Sequence, residues 1–123
     1  MTRTFVMTPE FDTAWSKMGL NDTDLRKLQH ELLMYPDSGD MIRGTHGCRK
    51  IRVAFENKGK SGSARVIYVN FLSFEKIYLL TAYPKNEKEN LSKQESNDIK
   101  ELVKSLENAE RENYERRMRY EYL

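Results

Sequence analysis

The feature that most constrains this chain is a change of period after Pro36. From Arg49 to Phe55 the residues alternate, with Arg49, Ile51, Val53 and Phe55 set against Lys50, Arg52 and Ala54. A period of two belongs to an extended strand, whose successive side chains point to opposite faces. Residues 57–63 are polar and hold two glycines, which reads as a flexible hairpin loop. Residues 64–72 and 77–80 are then rich in β-branched, aromatic and aliphatic side chains. Three such runs with short links predict an antiparallel meander. The last run is apolar on both parities, as expected of a strand in the interior of the sheet.

The flanking segments have a helical period. Thr8-Pro9-Glu10 offers a capping hydroxyl, a first-turn proline and an acid at the positive end of the helix dipole. Phe11, Trp15 and Met18 follow on one face, and Gly19 marks the stop. A second helix starts in residues 21–24, carries Leu25, Leu28, Leu32 and Leu33, and ends by Pro36. The pair should form a hairpin that buries its stripes on a common surface, with Trp15 in the core. Residues 4–7 suit a short strand. Ser92 and Glu95 have the spacing of a capping box, and Ile99, Leu102, Val103 and Leu106 line one face of the helix behind it. The pattern weakens beyond Leu106. The expected organisation is one α+β domain over residues 1–106, with 107–123 as a charged helical extension or tail.

A chain of 123 residues suits one domain. Its single cysteine, Cys48, allows no intrachain disulfide and fits a reducing, cytoplasmic setting. No apolar run approaches the roughly 20 residues that cross a bilayer. No nucleotide-binding loop, zinc-ligand spacing or nucleophile elbow is present. His46 and Cys48 lie two apart in a glycine-rich turn, a weak signal for a thiol nucleophile, and His30 reads as a surface residue. What stands out is charge. Residues 43–65 carry Arg43, Arg49, Lys50, Arg52, Lys58, Lys60 and Arg65 against Glu56 alone, a net +6 in a chain whose total is +2. A solvated strand face and a phosphate-binding or nucleic-acid-binding face both remain open on charge alone. Arg65 favours the second, because it sits in an apolar strand with no acid beside it in sequence, where an unpaired cation is costly. For Lys50, Arg52 and Arg65 to share a face, paired residue numbers across the hairpin must sum to an odd value.

Four stretches in order, GDMIRGTHGCRKIRVA at 39–54, GKSG at 59–62, ARVIY at 64–68 and AYPKNEKENLS at 82–92, resemble the RelE/HigB-type toxins of bacterial toxin–antitoxin systems. The likeness is greatest to the HigB-like branch and spans about residues 5–106. It implies a microbial-ribonuclease-like fold, in which a helical hairpin packs on one side of a twisted antiparallel sheet and the opposite face holds RNA. It implies an mRNA interferase that cuts message in the ribosomal decoding site and stops translation. The 2′-hydroxyl attacks its own phosphate, with no metal or cofactor. The implied partners are the ribosome, mRNA and a cognate antitoxin, often of helix-turn-helix type, through which alone operator DNA would be contacted. By position in these motifs, Lys50, Arg52, Arg65 and Lys85 would form the catalytic set. Lys88 would join Arg43, Arg49, Lys58 and Lys60 in binding RNA. The alternative is a catalytically weak relative that binds RNA or its antitoxin in transcriptional autoregulation.

Overall fold

The expected meander forms, and its ladders run further than the apolar runs that announce it. The computed structural model describes residues 2–57 and 60–121, without the side chains of 56–57, 60–61 and 120–121. In chain order the elements are β1 (Thr4–Met7), α1 (Pro9–Lys17), α2 (Asp22–Met34), β2 (Asp40–Met41), β3 (Arg49–Asn57), β4 (Lys60–Phe71), β5 (Lys76–Pro84) and α3 (Lys93–Glu121). The stretch expected as a loop at 57–63 is mostly paired: Gly62 lies opposite Phe55, and Asn57 opposite Lys60. Ladder hydrogen bonds are made by the backbone, so polar residues can extend a strand where apolar patterning has stopped. Gly62 also suits its place, since a Cβ there would stand 3.3 Å from the Phe55 ring.

The sheet order is β1-β5-β4-β3-β2. The meander is antiparallel as expected, but β1 joins β5 in parallel, Phe5 beside Ile77 and Met7 beside Leu79, so the whole sheet is mixed. Helices α1 and α2 cover one face. Phe11, Trp15, Leu28 and Leu32 are buried there with Ile51, Val66, Tyr68, Ile77 and Leu79, and Val53 packs against them. The Phe11 and Trp15 rings stack at 5.3 Å, and the Trp15 indole N–H donates to the Asn21 carbonyl at 3.1 Å. Both helix starts are capped: Thr8 Oγ1 accepts from the Phe11 N–H, and Asn21 and Asp24 form a reciprocal capping box.

Helix α3 covers part of the other face, where Val103 is buried with Ile67, Val69, Phe71, Tyr78, Leu80 and Tyr83. A register shift sits between Ile67 and Tyr68, whose partners are Thr81 and Leu79. The extra residue, Leu80, lets Leu80 and Tyr83 enter the same cluster although their numbers differ by three. The Ser92–Glu95 capping box is present. Beyond Leu106 the helix does not fray but runs on to Glu121. Glu110 explains part of this: its carboxylate is buried, with Lys76 Nζ at 2.8 and 3.0 Å and the Tyr78 hydroxyl at 2.5 Å. Burial pushes the Glu110 carboxyl up, but hydrogen bonds from Lys76 and Tyr78 outweigh it and hold it below the usual carboxylate value. The same burial and the same carboxylate push the Tyr78 hydroxyl well above its ordinary value.

Candidate nucleic-acid interface

The site follows from the hairpin register. Arg52 lies directly opposite Arg65, and Lys50 opposite Ile67, so paired numbers sum to 117, an odd value. Partners across an antiparallel ladder point to the same side. Lys50, Arg52 and Arg65 therefore share the face away from α1 and α2. Tyr83 pairs with Arg65 from β5, which completes a rung Arg52–Arg65–Tyr83. Like charges directly opposite one another are destabilising, so two facing arginines are an arrangement that folding alone does not favour. Gly39 helps to set the outer edge. A Cβ there would come within 2.7 Å of the Lys50 carbonyl oxygen, while its N–H donates to the buried Tyr68 hydroxyl. This close approach brings Asp40 opposite Lys50.

The loop that follows β5 folds back onto these cations. Arg65 Nη2 lies 3.2 Å from Glu89 Oε1, and Lys50 Nζ donates to the Glu89 carbonyl at 3.3 Å and to Asn90 Oδ1 at 3.1 Å. The Arg65 side chain is 14% exposed and that of Glu89 60%. Arg65 thus has an acid beside it, brought from 24 residues downstream. Its Nε and the Tyr83 hydroxyl are nonetheless buried with no hydrogen-bonding partner among the described residues. Burial pushes the Tyr83 hydroxyl up from its ordinary value, with the positive charge of Arg65 opposing. Arg52 is exposed and pairs with no described acid.

The remaining basic residues are dispersed. Arg49 points to the opposite face, where it donates to the Gly39 carbonyl at 2.8 Å and stands 3.6 Å from Asp37. Lys85 is exposed just past β5, in a groove shared with Lys17, Met18 and Phe55. Lys88 is ion-paired with Glu95 and sits 4.8 Å over the Tyr83 ring. That pairing lowers the Glu95 carboxyl, helped by the Ser92 N–H. Arg43 is exposed in the turn before β3. Lys58 lies outside the described residues, as does the side chain of Lys60.

The thiol route is closed by burial. Cys48 is fully buried and its thiol is pushed up to about 11, only partly offset by the Thr45 hydroxyl. His46, at φ 61°, turns to Glu107 on α3 at 3.3 Å. Glu89, Asn90 and Glu110 were not legible as site or clamp residues in the sequence. Glu89 and Asn90 lie in a motif quoted for its lysines, and a loop has no period from which to place a side chain.

The sequence model of one family, the RelE toxin of the RelE/RelB toxin–antitoxin system, matches residues 3–123. Among solved structures, an E. coli RelE toxin carrying two arginine substitutions, in the free state, is 19% identical with a TM-score of 0.51. That likeness covers 72% of this chain and 90% of that one. The intact E. coli RelBE toxin–antitoxin complex is 18% identical with a TM-score of 0.47, covering 67% and 95%. The first likeness supports the fold, a helix pair and a C-terminal helix on either side of a five-stranded sheet. With a family match that runs over nearly its whole length, the chain belongs to the RelE toxin family.

Proposed function

We propose that this protein is the toxin of a toxin–antitoxin pair and that it acts as a ribosome-dependent endoribonuclease. The observation that carries the reading is the rung formed by Arg52 and Arg65, with Lys50 one step along the same face. Cleavage of RNA by its own 2′-hydroxyl forms a bond from that oxygen to phosphorus and breaks the bond to the 5′-oxygen. The 2′-oxygen loses a proton and the leaving 5′-oxygen gains one. The products are a 2′,3′-cyclic phosphate and a 5′-hydroxyl. Negative charge builds on the phosphoryl oxygens in the transition state, so cations already in place lower the barrier. Arg65 suits the central role because a guanidinium is planar, always charged and able to hold two oxygens at once. Lys50 and Arg52 add charge from β3. Lys85 and Arg43 are exposed and would meet RNA at the margins, and Lys58 and Lys60, which lie between the two arms of the hairpin in sequence, would add phosphate contacts. The family description supports a RelB-like antitoxin as the partner that keeps such an activity in check.

The test is inducible expression with mapping of RNA ends. The wild-type chain is expected to arrest growth and to leave 2′,3′-cyclic phosphate and 5′-hydroxyl ends within translated messages. A folded Arg65→Ala protein should do neither, and co-expression of the antitoxin should silence the wild type. Equal arrest by folded Arg65→Ala, without new RNA ends, would replace the enzyme with a binding module.

A further inference from the structure

Two of the three cations of the candidate site, Arg65 and Lys50, are already occupied, while Arg52 is open to solvent. Arg65 Nη2 holds the Glu89 carboxylate, and Lys50 Nζ holds a carbonyl and an amide oxygen from Glu89 and Asn90. All three acceptors come from two consecutive residues of one short loop, between Pro84 at the end of β5 and Lys93 at the start of α3. We propose that Glu89 and Asn90 are an internal stand-in for the RNA phosphodiester, and that residues 85–92 form a strap that substrate must displace. The proposal rests on reading this face as an RNA site and names how that site is regulated.

Three features support displacement over a permanent fastening. First, the pairing is lopsided. The Glu89 side chain is mostly in water, whereas Arg65 is mostly buried, and ion pairs of this exposed kind are weak. Second, the closed strap leaves donors unmet. Arg65 Nε and the Tyr83 hydroxyl, on neighbouring strands of one rung, are buried without partners among the described residues. A buried donor left unsatisfied is costly. Glu89 occupies one nitrogen of the guanidinium, whereas a phosphate can take two at once. Third, the strap has fastenings other than those of Glu89 and Asn90. Lys88 is fixed by Glu95 and the Tyr83 ring, and Ser92 and Glu95 cap α3. The Glu89 carboxylate and the Asn90 amide can therefore release the cations while the loop stays attached through Lys88 on one side and Ser92 on the other.

The experiment follows the Arg65 Nε–H resonance by NMR in wild type, Glu89→Gln and Glu87→Gln. Each is titrated with inorganic phosphate and with a single-stranded RNA blocked by a 2′-deoxy substitution at the cleavage position. Glu87 is exposed in the same loop and controls for loss of one negative charge. Glu89→Gln is expected to bind both probes about three- to fivefold more tightly, the order expected from releasing one exposed ion pair. Glu87→Gln should shift affinity by less than about 1.5-fold, since a solvated charge off the site is screened. In cleavage assays on ribosome-bound message Glu89→Gln should raise kcat/KM by the same factor and leave kcat unchanged. Equal gains in both variants, or no gain in Glu89→Gln, would overturn the strap. So would a fall in kcat of a hundredfold or more in Glu89→Gln, because Glu89 would then belong to the chemistry. If phosphate and RNA bind as expected but no variant cleaves RNA, the strap stands and the ribonuclease reading fails.

Discussion

The two faces of the sheet use the same strands for opposite ends. Under α1 and α2, β3 and β4 present Ile51, Val53, Val66 and Tyr68 to Trp15, Phe11, Leu28 and Leu32, and the layer is almost wholly apolar. On the reverse, the same two strands present Lys50, Arg52 and Arg65 beside Ile67 and Val69. That second face is itself divided: α3 closes over its apolar half, while the strap closes over its basic half. The strand period of two makes this division possible without additional chain. It also ties the faces together, because a one-residue slip in the hairpin would bury the arginines and expose the core. The helix-covered face thereby fixes the geometry of the basic one.

The hardest blow to the first face is Trp15→Ala. With the ring 5% exposed and stacked on Phe11, the loss should be about 3–5 kcal/mol, read as a fall in the denaturation midpoint or as loss of soluble protein. A variant that keeps its stability would show that the helix-covered face is not the one that sets the register. Arg65→Ala attacks the second face instead. Single-turnover RNA cleavage should drop by two to three decades, about 2.7–4 kcal/mol in the barrier, with a much smaller change in RNA affinity. Equal losses of binding and cleavage would reduce the rung to a docking feature.

A smaller effect is expected where α3 meets β5. Glu110→Ala should cost about 1–3 kcal/mol, because it leaves the buried Tyr78 hydroxyl without its acceptor and Lys76 without its counter-ion. The pH dependence has a definite sign. The Glu110 carboxyl is lowered in the folded protein, so its contribution is complete above the ordinary carboxylate pKa of about 4.3. It is lost as pH falls through the lower folded value. Acid unfolding followed by circular dichroism should be less steep in Glu110→Gln than in wild type. The smallest effect belongs to the hairpin tip. Neutralising Lys58 and Lys60 should weaken RNA binding and flatten the log–log salt slope by about 0.7 for each phosphate that the tip no longer neutralises. Cleavage by saturating protein should be little changed. A loss of cleavage as severe as that of Arg65→Ala would merge tip and rung into one site.

Much of this architecture was legible beforehand because it is local. The capping residues Thr8 and Ser92, the start of the second helix within residues 21–24, the stripe of Phe11 and Trp15, and the alternation from Arg49 to Phe55 each act within a few residues. The sequence could only state the odd register sum as the condition for Lys50, Arg52 and Arg65 to share a face, because both parities of residues 64–72 are apolar, and the structure meets that condition. Other features were not legible. Parallel pairing of β1 with β5 joins residues more than 70 apart, and four residues carry no sign of their partner. The premise drawn from Arg65 was incomplete: no acid adjoins it in sequence, yet Glu89 reaches it in space.

Sequence by itself determined the elements, the apolar faces and the clustering of cations on one hairpin, because period, capping and propensity are short-range properties of the chain. Only the tertiary structure decided what those cations touch. The Leu80 insertion and the close approach at Gly39 depend on contacts between distant segments, as do the Glu110 clamp and the strap that lays Glu89 on Arg65. The energies of such contacts arise from burial and from distances that exist only after the sheet has closed.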